Sequence, residues 1–191
     1  ISNQKNRPTC SINLVEFIDN NKKKLEQKIT SLCKKINAKK NLSGEATGYY
    51  WTAVPQEIID LWNLRKKGVG LLGNTNGPRK PLPFVEDTAV PPENLANYIT
   101  EFRELLESFN LDYAMFGHID VGCLHVRPAL DLKNLDDEKL VREISNKVVR
   151  LVKKFGGAMW SEHGRGFRSE YTADFFGDEL HEQLRIIKEV F

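Results

Sequence analysis

The sequence predicts an α+β fold in which an antiparallel sheet is covered by helices. Segments with strand-like alternation are separated by segments whose apolar residues repeat at helical spacing. From residue 84 to residue 161 these segments follow the order β-α-β-β-α-β, which is the ferredoxin-like order. Residues 11–67 add a β-α-β-α unit that would extend the same sheet or form a second, similar unit.

The predicted N-terminal unit alternates two strands with two helices. Residues 11–18 alternate apolar and polar side chains, and residues 46–53 are rich in β-branched and aromatic residues, so both are predicted as strands. Asp19 is predicted to cap the first helix. Pro55 opens the second helix, where its missing N–H costs nothing, and Arg65 closes it.

A glycine-rich stretch follows, and residues 68–73, GVGLLG, match the pattern GxGxxG. A dinucleotide site requires a strand before this pattern and a helix after it. Here a predicted helix precedes the pattern and turn residues follow it. We therefore predict a long mobile loop over residues 68–83 rather than a nucleotide site.

The predicted C-terminal unit, residues 84–191, is the ferredoxin-like unit followed by one more helix. Gly156 and Gly157 end its second helix in the usual manner of a helix C-terminus. The predicted elements are, in order, a strand over 84–90, a helix from 91 to 109, strands over 112–119 and 122–128 joined by a tight turn, a helix after residue 136 that ends at 155, a strand over 158–161, and a last helix over 180–190.

Composition places the chain among globular proteins of a reducing compartment. It has 191 residues, 40% hydrophobic and 28% charged, and its formal net charge of +2 does not predict nucleic acid as a partner. The three cysteines form no CxxC pair, which argues against a disulfide scaffold. No signal peptide and no apolar run of the ~20 residues needed for a membrane span is visible. We expect a cytoplasmic protein, peripheral to the membrane at most through an electron acceptor.

The ends of the sequence indicate a longer parent polypeptide. The chain starts at Ile1 without a methionine, and it stops at Phe191 within a predicted helix. We therefore expect residues 1–191 to be one domain excised from a longer chain.

Two stretches, residues 117–128 and 156–166, hold the side chains best suited to chemistry. His118 and His125 flank the predicted hairpin turn, and residues paired across such a hairpin lie ~4.5–5.5 Å apart. Two imidazoles on one face could bind one metal, and Glu162 would add a carboxylate if its strand lies beside the hairpin. Two histidines and one carboxylate with open positions are typical of a catalytic metal site. On spacing alone, half-buried strand histidines and a surface acid remain an equal alternative.

Four motifs resemble the C-terminal domain of FAD-linked oxidases of the vanillyl-alcohol oxidase superfamily. Residues 117–125, GHIDVGCLH, resemble the family's G-H-x-G-D-G-N-L-H, and residues 156–166, GGAMWSEHGRG, resemble its G-G-x-x-x-x-E-H-G-x-G. Residues 61–65, LWNLR, and residues 86–91, EDTAVP, resemble the family's L-W-x-L-R and D-x-S-V-P. The residues of the first two motifs resemble most those of one branch of the family. Members of that branch fuse a flavin domain, this domain and an iron–sulfur region in one chain, and they act on D-2-hydroxyglutarate.

The resemblance implies a role for individual residues. His118, His125 and Glu162 match the family's ligands for a divalent metal, usually zinc. His163 matches the base that takes the proton of the substrate hydroxyl while a hydride passes to FAD. Arg65 matches an arginine that holds the substrate carboxylate, a role that suits a bidentate guanidinium. The implied protein is the substrate-binding, or cap, domain of a D-2-hydroxy-acid dehydrogenase, inactive without the flavin-binding domain of the same polypeptide.

The sequence also departs from the family pattern. Cys123 replaces an asparagine, and we expect its thiol to pack beside the site, with ligation of a soft metal as the alternative. A substrate-binding lysine of the family appears as Val85, and Arg79 or Lys80 is the expected replacement. Arg165 stands where the family usually has an aliphatic residue.

Arg165, Arg127 and Arg168 together would add positive charge near the predicted site. We hypothesise that this charge binds a second carboxylate of the substrate, while surface salt bridges are the alternative for each arginine, above all for Arg168. Two other functions stay open at this point. One is a metal-dependent hydrolase that uses His118, His125 and Glu162 around a water, and the other is a non-catalytic ferredoxin-like assembly module.

Overall fold

A computed structural model describes residues 11–39, 45–72 and 76–191. The chain divides into two compact units, Ile1–Gly68 and Val69–Phe191. Within the described residues it contains five α-helices and a small, open antiparallel sheet, which confirms the α+β class.

The first unit contains helix α1 (Lys22–Lys39) and most of helix α2 (Pro55–Leu72). The cap of α1 is Asn21 rather than Asp19, because the Asn21 side chain accepts a hydrogen bond from the backbone N–H of Lys24 at 3.2 Å. Asp19 instead accepts from the backbone N–H of Asn21 at 3.0 Å and pairs with Lys28 at 2.9 Å.

The two strands predicted in the first unit are wrong. Residues 11–18 and 46–53 run as irregular chain without a sheet partner. None of the described residues of this unit is buried, so the alternation there does not reflect one covered face. Local contacts are made by exposed side chains, including Trp62, whose indole N–H donates to Glu16 at 3.4 Å.

Helix α2 corrects the predicted loop over residues 68–83. The helix continues past Arg65 to Leu72, so Gly68 and Gly70 lie within it. The predicted GxGxxG pattern therefore begins as helix and not as a phosphate-binding turn, and its last glycine, Gly73, lies outside the described residues.

The sheet belongs to the second unit and is centred on one strand. Strand β4 (Cys123–Leu130) pairs antiparallel with β1 (Lys80–Pro81), β2 (Thr88–Ala89) and β3 (Tyr113–His118). Strands β1 and β2 pair with opposite ends of β4, since Lys80 lies opposite Leu130 and Ala89 lies opposite Cys123. The strands predicted over 112–119 and 122–128 are thus confirmed.

Two other predicted strands are much shorter than expected. Of residues 84–90 only Thr88 and Ala89 form a strand, and of residues 158–161 only Ala158 forms a bridge, to Ala89. Asp87 has a φ of +66° immediately before β2, which interrupts the extended chain. The ferredoxin-like arrangement stays a prediction, because its first and last strands are reduced to these remnants.

Helices α3 (Leu95–Ser108) and α4 (Leu135–Lys154) pack against each other and confirm the two predicted central helices. Asn134 caps α4 by accepting from the backbone N–H of Asp136 at 2.9 Å. Helix α5 (Thr172–Val190) begins earlier than predicted, follows a 3₁₀ helix over Gly166–Tyr171, and contains a break in its helical backbone at Gly177.

The hydrophobic core lies between these helices and the sheet. Its fully buried members include Tyr98 and Phe102 of α3, Val126 of β4 and Val148 of α4. The buried hydroxyl of Tyr98 donates to Thr88 at 2.8 Å, so the core fixes the short strand β2 in place. None of the helices in the described parts of the chain has the length and apolarity required to cross a membrane.

Candidate functional site

The β3–β4 hairpin places two histidines on the same face of the sheet. His118 lies opposite Cys123, and His125 lies opposite Phe116. The two histidines are therefore diagonal neighbours, and not directly paired as the sequence had suggested. Diagonal positions remain within reach of ring side chains, and the two ring centroids are 5.8 Å apart. Gly122, with a φ of +69°, completes the connection between the strands.

Glu162 joins the two histidines from a distant part of the chain. Its Oε1 atom lies 2.9 Å from Nε2 of His125 and 3.2 Å from Nε2 of His118. Two ligand atoms bound to one ion at about 2.1 Å are about 3.0–3.4 Å apart in octahedral or tetrahedral geometry. The structure thus brings Glu162 to both predicted histidines, and each of these two separations suits ligands of one divalent ion.

The environment of His125 favours its neutral form, which is the form that binds metals. The side chain is 2% exposed. Burial lowers the pKa of His125, and the nearby carboxylate of Glu162 offsets this effect only in part. The Nδ1 atom of His125 is buried without a hydrogen-bond partner among the described residues, so Nε2 is the ring atom that faces the polar cluster.

Cys123 lies beside the cluster as a buried thiol. Its sulfur is 3.7 Å from Nε2 of His125 and 3.9 Å from Oδ1 of Asp87. Burial, reinforced by the charges of Asp87 and Glu162, raises the pKa of the Cys123 thiol above its usual value. Its sulfur belongs with Asp87, His125 and Glu162 to a group of four potential metal-binding atoms within 4.8 Å of one another, so packing beside the site stays a prediction, with ligation of a soft metal as the alternative.

His163 is a third histidine of the cluster and is partly exposed. Its ring stacks on that of His125 with centroids 4.9 Å apart and an interplanar angle of 21°. Its Nδ1 atom lies 3.6 Å from Oε1 of Glu86, and its Nε2 atom lies 3.7 Å from Oε1 of Glu162. With 47% of its side chain exposed, His163 can reach a small molecule that enters the site.

Asp87 and Glu86, the two acids of the motif at residues 86–91, belong to this site. Asp87 is fully buried and accepts hydrogen bonds from the backbone N–H groups of Ser161, Glu162 and His163. Burial opposes its ionisation, but these three N–H groups prevail and hold the pKa of Asp87 below its usual value. Glu86 accepts from Nε of Arg127 at 2.8 Å. No spacing rule would have found either contact, because both depend on where distant segments meet.

The predicted arginines have different surroundings. Arg127 is paired with Glu86, and its guanidinium carbon lies 5.4 Å from the centre of the Phe116 ring. Arg165 donates to the neutral hydroxyl of Thr172 at 3.3 Å.

Arg168 is neither a surface residue nor a source of free charge, which corrects both sequence-based interpretations of it. Its guanidinium is 6% exposed and lies 3.5 Å from Asp87. It donates to the backbone carbonyls of Met159 at 2.9 Å and Gly164 at 3.1 Å, and also to that of Glu86. These contacts make Arg168 part of the framework beneath the site.

Two of the remaining predicted substrate ligands, Lys80 and Arg79, lie away from the histidine cluster. Lys80 pairs with Leu130, five residues along β4 from His125, which corresponds to about 17 Å of strand. Arg79, next to it, forms a two-pronged ion pair with Asp137 at 2.6 and 2.8 Å. Arg65 lies on α2 within the first unit.

Comparison with known proteins gives a consistent set of similarities. The family described as "FAD linked oxidases, C-terminal domain" matches residues 1–191. The chain is 50% identical over 185 residues to D-2-hydroxyglutarate dehydrogenase of Haemophilus influenzae, covering 96% of this chain and 18% of that protein. It is 46% identical over 183 residues to the protein of the same name from Escherichia coli, covering 94% of this chain and 18% of that protein.

A more distant similarity extends to a protein with another name. The chain is 25% identical over 166 residues to glycolate oxidase subunit GlcD of Bacillus subtilis, covering 86% of this chain and 33% of that protein. The chain thus spans about a fifth of the length of these two D-2-hydroxyglutarate dehydrogenases.

Proposed function

The chain belongs to the family of the C-terminal domains of FAD linked oxidases, and from this premise we propose that it is the substrate-binding domain of an FAD-dependent D-2-hydroxy-acid dehydrogenase. The proposed reaction oxidises D-2-hydroxyglutarate to its 2-oxo acid. Relatives that are 45–50% identical carry the name D-2-hydroxyglutarate dehydrogenase. The observation that carries the proposal is the convergence of His118, His125 and Glu162 on one point beside the stacked ring of His163.

The ligand set fits a divalent metal, with zinc as the proposed ion. His118, His125 and Glu162 would hold it. Oε1 of Glu162 already lies 2.9 Å from Nε2 of His125 and 3.2 Å from Nε2 of His118. A divalent ion bound there lowers the pKa of an alcohol that contacts it, which eases loss of the hydroxyl proton.

His163 is the proposed base for that proton. Its side chain is 47% exposed, its Nε2 atom lies 3.7 Å from Oε1 of Glu162, and stacking on His125 restrains its ring. An imidazole accepts a proton near neutral pH. The proton of the substrate hydroxyl would pass to His163, and a flavin bound by the longer polypeptide would supply the acceptor for the hydride from the carbon that bears this hydroxyl, so that a carbonyl would form.

The substrate carboxylates require cations, and Arg165 is the proposed partner of the distal carboxylate. Its recorded hydrogen bond goes to the neutral side chain of Thr172, so its charge is not offset by an acid within the described part of the chain. Arg127 is paired with Glu86 and would contribute through that pair, while Arg65 is proposed for the carboxylate next to the hydroxyl. Arg79 and Lys80 have no place in this proposal because of their distance along β4.

Further parts of the proposal concern the longer polypeptide. We infer that a flavin-binding domain supplies FAD, that an iron–sulfur cluster can lie elsewhere in the same chain, and that the protein is cytoplasmic. Residues 1–191 alone should not turn over substrate, because the hydride acceptor lies outside them. The family match favours this function over the hydrolase and the assembly module.

The proposal is tested by histidine substitutions in the polypeptide that joins this chain to its flavin-binding domain. His118→Ala is expected to lower zinc affinity and the rate of D-2-hydroxyglutarate-dependent dye reduction by at least about tenfold. The matched control is His181→Ala on α5, which should change neither measurement. An unchanged rate in His118→Ala, or a rate that chelators leave unaffected, would contradict the role of the metal site.

Substrate choice is tested separately at Arg165. Arg165→Ala is expected to reduce the preference for D-2-hydroxyglutarate over D-lactate, since only the former has a second carboxylate. Arg142→Ala serves as the control because Arg142 is an exposed arginine paired with Glu170 at 2.7 Å. An unchanged ratio of kcat/KM for the two substrates in Arg165→Ala would rule out this assignment.

A further inference from the structure

Asp87 makes an unusually complete set of contacts with the segment that carries Glu162 and His163. Its Oδ2 atom accepts from the backbone N–H of Ser161 at 2.9 Å and of His163 at 3.1 Å, and its Oδ1 atom accepts from that of Glu162 at 3.0 Å. Three successive N–H groups that converge on one anion form a concave binding site for negative charge. The Asp87 carboxylate occupies that site from within the protein.

Arg168 supports the same arrangement from below. It lies 3.5 Å from Asp87 and donates to the carbonyls of Met159 and Gly164, which stand on either side of residues 161–163. Both side chains are almost fully buried. The carboxylate of Asp87 therefore binds the N–H groups of the segment, and the guanidinium of Arg168 binds the carbonyl groups on either side of it.

The contacts of Asp87 also show how its role differs from that of Glu162. Asp87, Cys123, His125 and Glu162 bring four potential metal-binding atoms within 4.8 Å of one another. Both oxygens of Asp87, however, are engaged by backbone N–H groups, whereas Oε1 of Glu162 lies between two imidazoles. This division leaves Glu162 as the acid directed at the ion.

We propose that Asp87 is a positioning residue that fixes the backbone of residues 161–163, so that Glu162 meets the two hairpin histidines and His163 stacks on His125. The inference deepens the proposed function and rests on it for the identity of the ligands. Asp87 acts chiefly through the backbone N–H groups of residues 161–163, and its Oδ1 atom also lies 3.9 Å from Nδ1 of His163. The φ of +66° at Asp87 is a cost that a non-glycine residue sustains only where its surroundings require that conformation.

The test compares Asp87→Asn with Asp137→Asn in the polypeptide that includes the flavin-binding domain. Asp137 is a matched control, because it too is a buried acid that pairs with an arginine and accepts a backbone N–H, that of Asp131 at 2.9 Å. Zinc affinity is measured by calorimetric titration of the metal-free protein. Amide hydrogen exchange is measured by mass spectrometry on peptides that cover residues 158–166 and 129–134.

Asp87→Asn is expected to speed exchange in residues 161–163 by at least about tenfold and to lower zinc affinity and kcat by about 10- to 100-fold, as loss of an outer-shell partner does at other metal sites. Asp137→Asn should speed exchange only at residues 129–134 and leave zinc affinity unchanged. Exchange in residues 161–163 that stays within threefold of the wild type in Asp87→Asn would overturn the proposal.

Two further results keep the outcomes separate. If the wild-type protein binds no zinc, the metal assignment fails, while the exchange comparison still decides the role of Asp87. If Asp87→Asn does not fold because it leaves Arg168 without its partner, Asp87→Glu replaces it, since the charge is kept and only the reach of the carboxylate changes. Wild-type exchange and zinc affinity in Asp87→Glu would overturn the proposal as well.

Discussion

Gly122→Ala is expected to destabilise the protein much more than Gly156→Ala, although both glycines have a φ of +69°. An alanine in this left-handed conformation costs about 1–2 kcal/mol, and this cost is common to both variants. At Gly156 a Cβ atom would have nothing within 4 Å, whereas at Gly122 it would lie 1.8 Å from the backbone oxygen of Val90. The difference between the variants therefore isolates the close approach of two backbones.

Relief of that contact must move the chain around Val90 away from the hairpin. The move breaks the hydrogen bond from the N–H of Val90 to the carbonyl of Gly122, which is 3.1 Å long, and it strains the adjacent pair of Ala89 and Cys123. A buried backbone group left without a partner costs about 1–3 kcal/mol. We expect a total loss of about 2–5 kcal/mol in Gly122→Ala against about 1–2 kcal/mol in Gly156→Ala.

Urea unfolding of the two variants and the wild type, followed by circular dichroism, measures this difference in the free energy of unfolding. A gap of about 1–3 kcal/mol is a substantial part of the 5–15 kcal/mol that usually stabilises a domain, and a change of this size shifts the urea midpoint measurably. Equal losses in the two variants, within about 0.5 kcal/mol, would refute the argument from close approach.

Three further outcomes concern the core and the buried ion pair. Phe102→Ala should cost about 3–5 kcal/mol in urea unfolding, because the ring is fully buried; a loss below about 1 kcal/mol would contradict this packing. Tyr98→Phe should cost only about 1 kcal/mol, since it removes one buried hydrogen bond to Thr88; a loss as large as that of Phe102→Ala would show that the hydroxyl does more. Asp137→Asn should cost about 1–3 kcal/mol at pH 7, because the hydrogen bonds from Arg79 hold the pKa of Asp137 below its model-peptide value of 3.8. Since a lowered folded-state pKa stabilises only the ionised protein, this last difference should stay constant above about pH 5 and shrink below about pH 4; a difference that persists at pH 2 would contradict it.

The parts of the fold that sequence predicts well are those whose pattern reports one buried face. Helix α4 is an example, because its apolar stripe is long and its ends carry a cap and a glycine. Residues 11–18 show the opposite case. Their alternation resembles that of a half-buried strand, but a strand also requires a backbone partner, and pattern alone does not reveal whether one is present.

In the candidate site, too, the sequence predicts only those features that depend on local spacing. The spacing of His118 and His125 identifies a hairpin with two imidazoles on one face, and the structure brings Glu162 to them. The burial of Arg168 and the N–H contacts of Asp87 could not be foreseen. Contacts between a side chain and a distant backbone leave no periodic trace in the sequence, because every residue type has a backbone carbonyl and every type except proline has an N–H.

That last property bears on how this segment can vary. Asp87 holds residues 161–163 by their backbone N–H groups, so the anchor is indifferent to the side chains that the segment displays. Proline is the one residue type it excludes at all three positions, because proline has no N–H to donate. A mutational scan at Ser161 should therefore show that proline is tolerated least, because it removes the N–H that donates to Asp87. Side chains of a segment anchored in this way can change while the backbone hydrogen bonds that hold it stay the same.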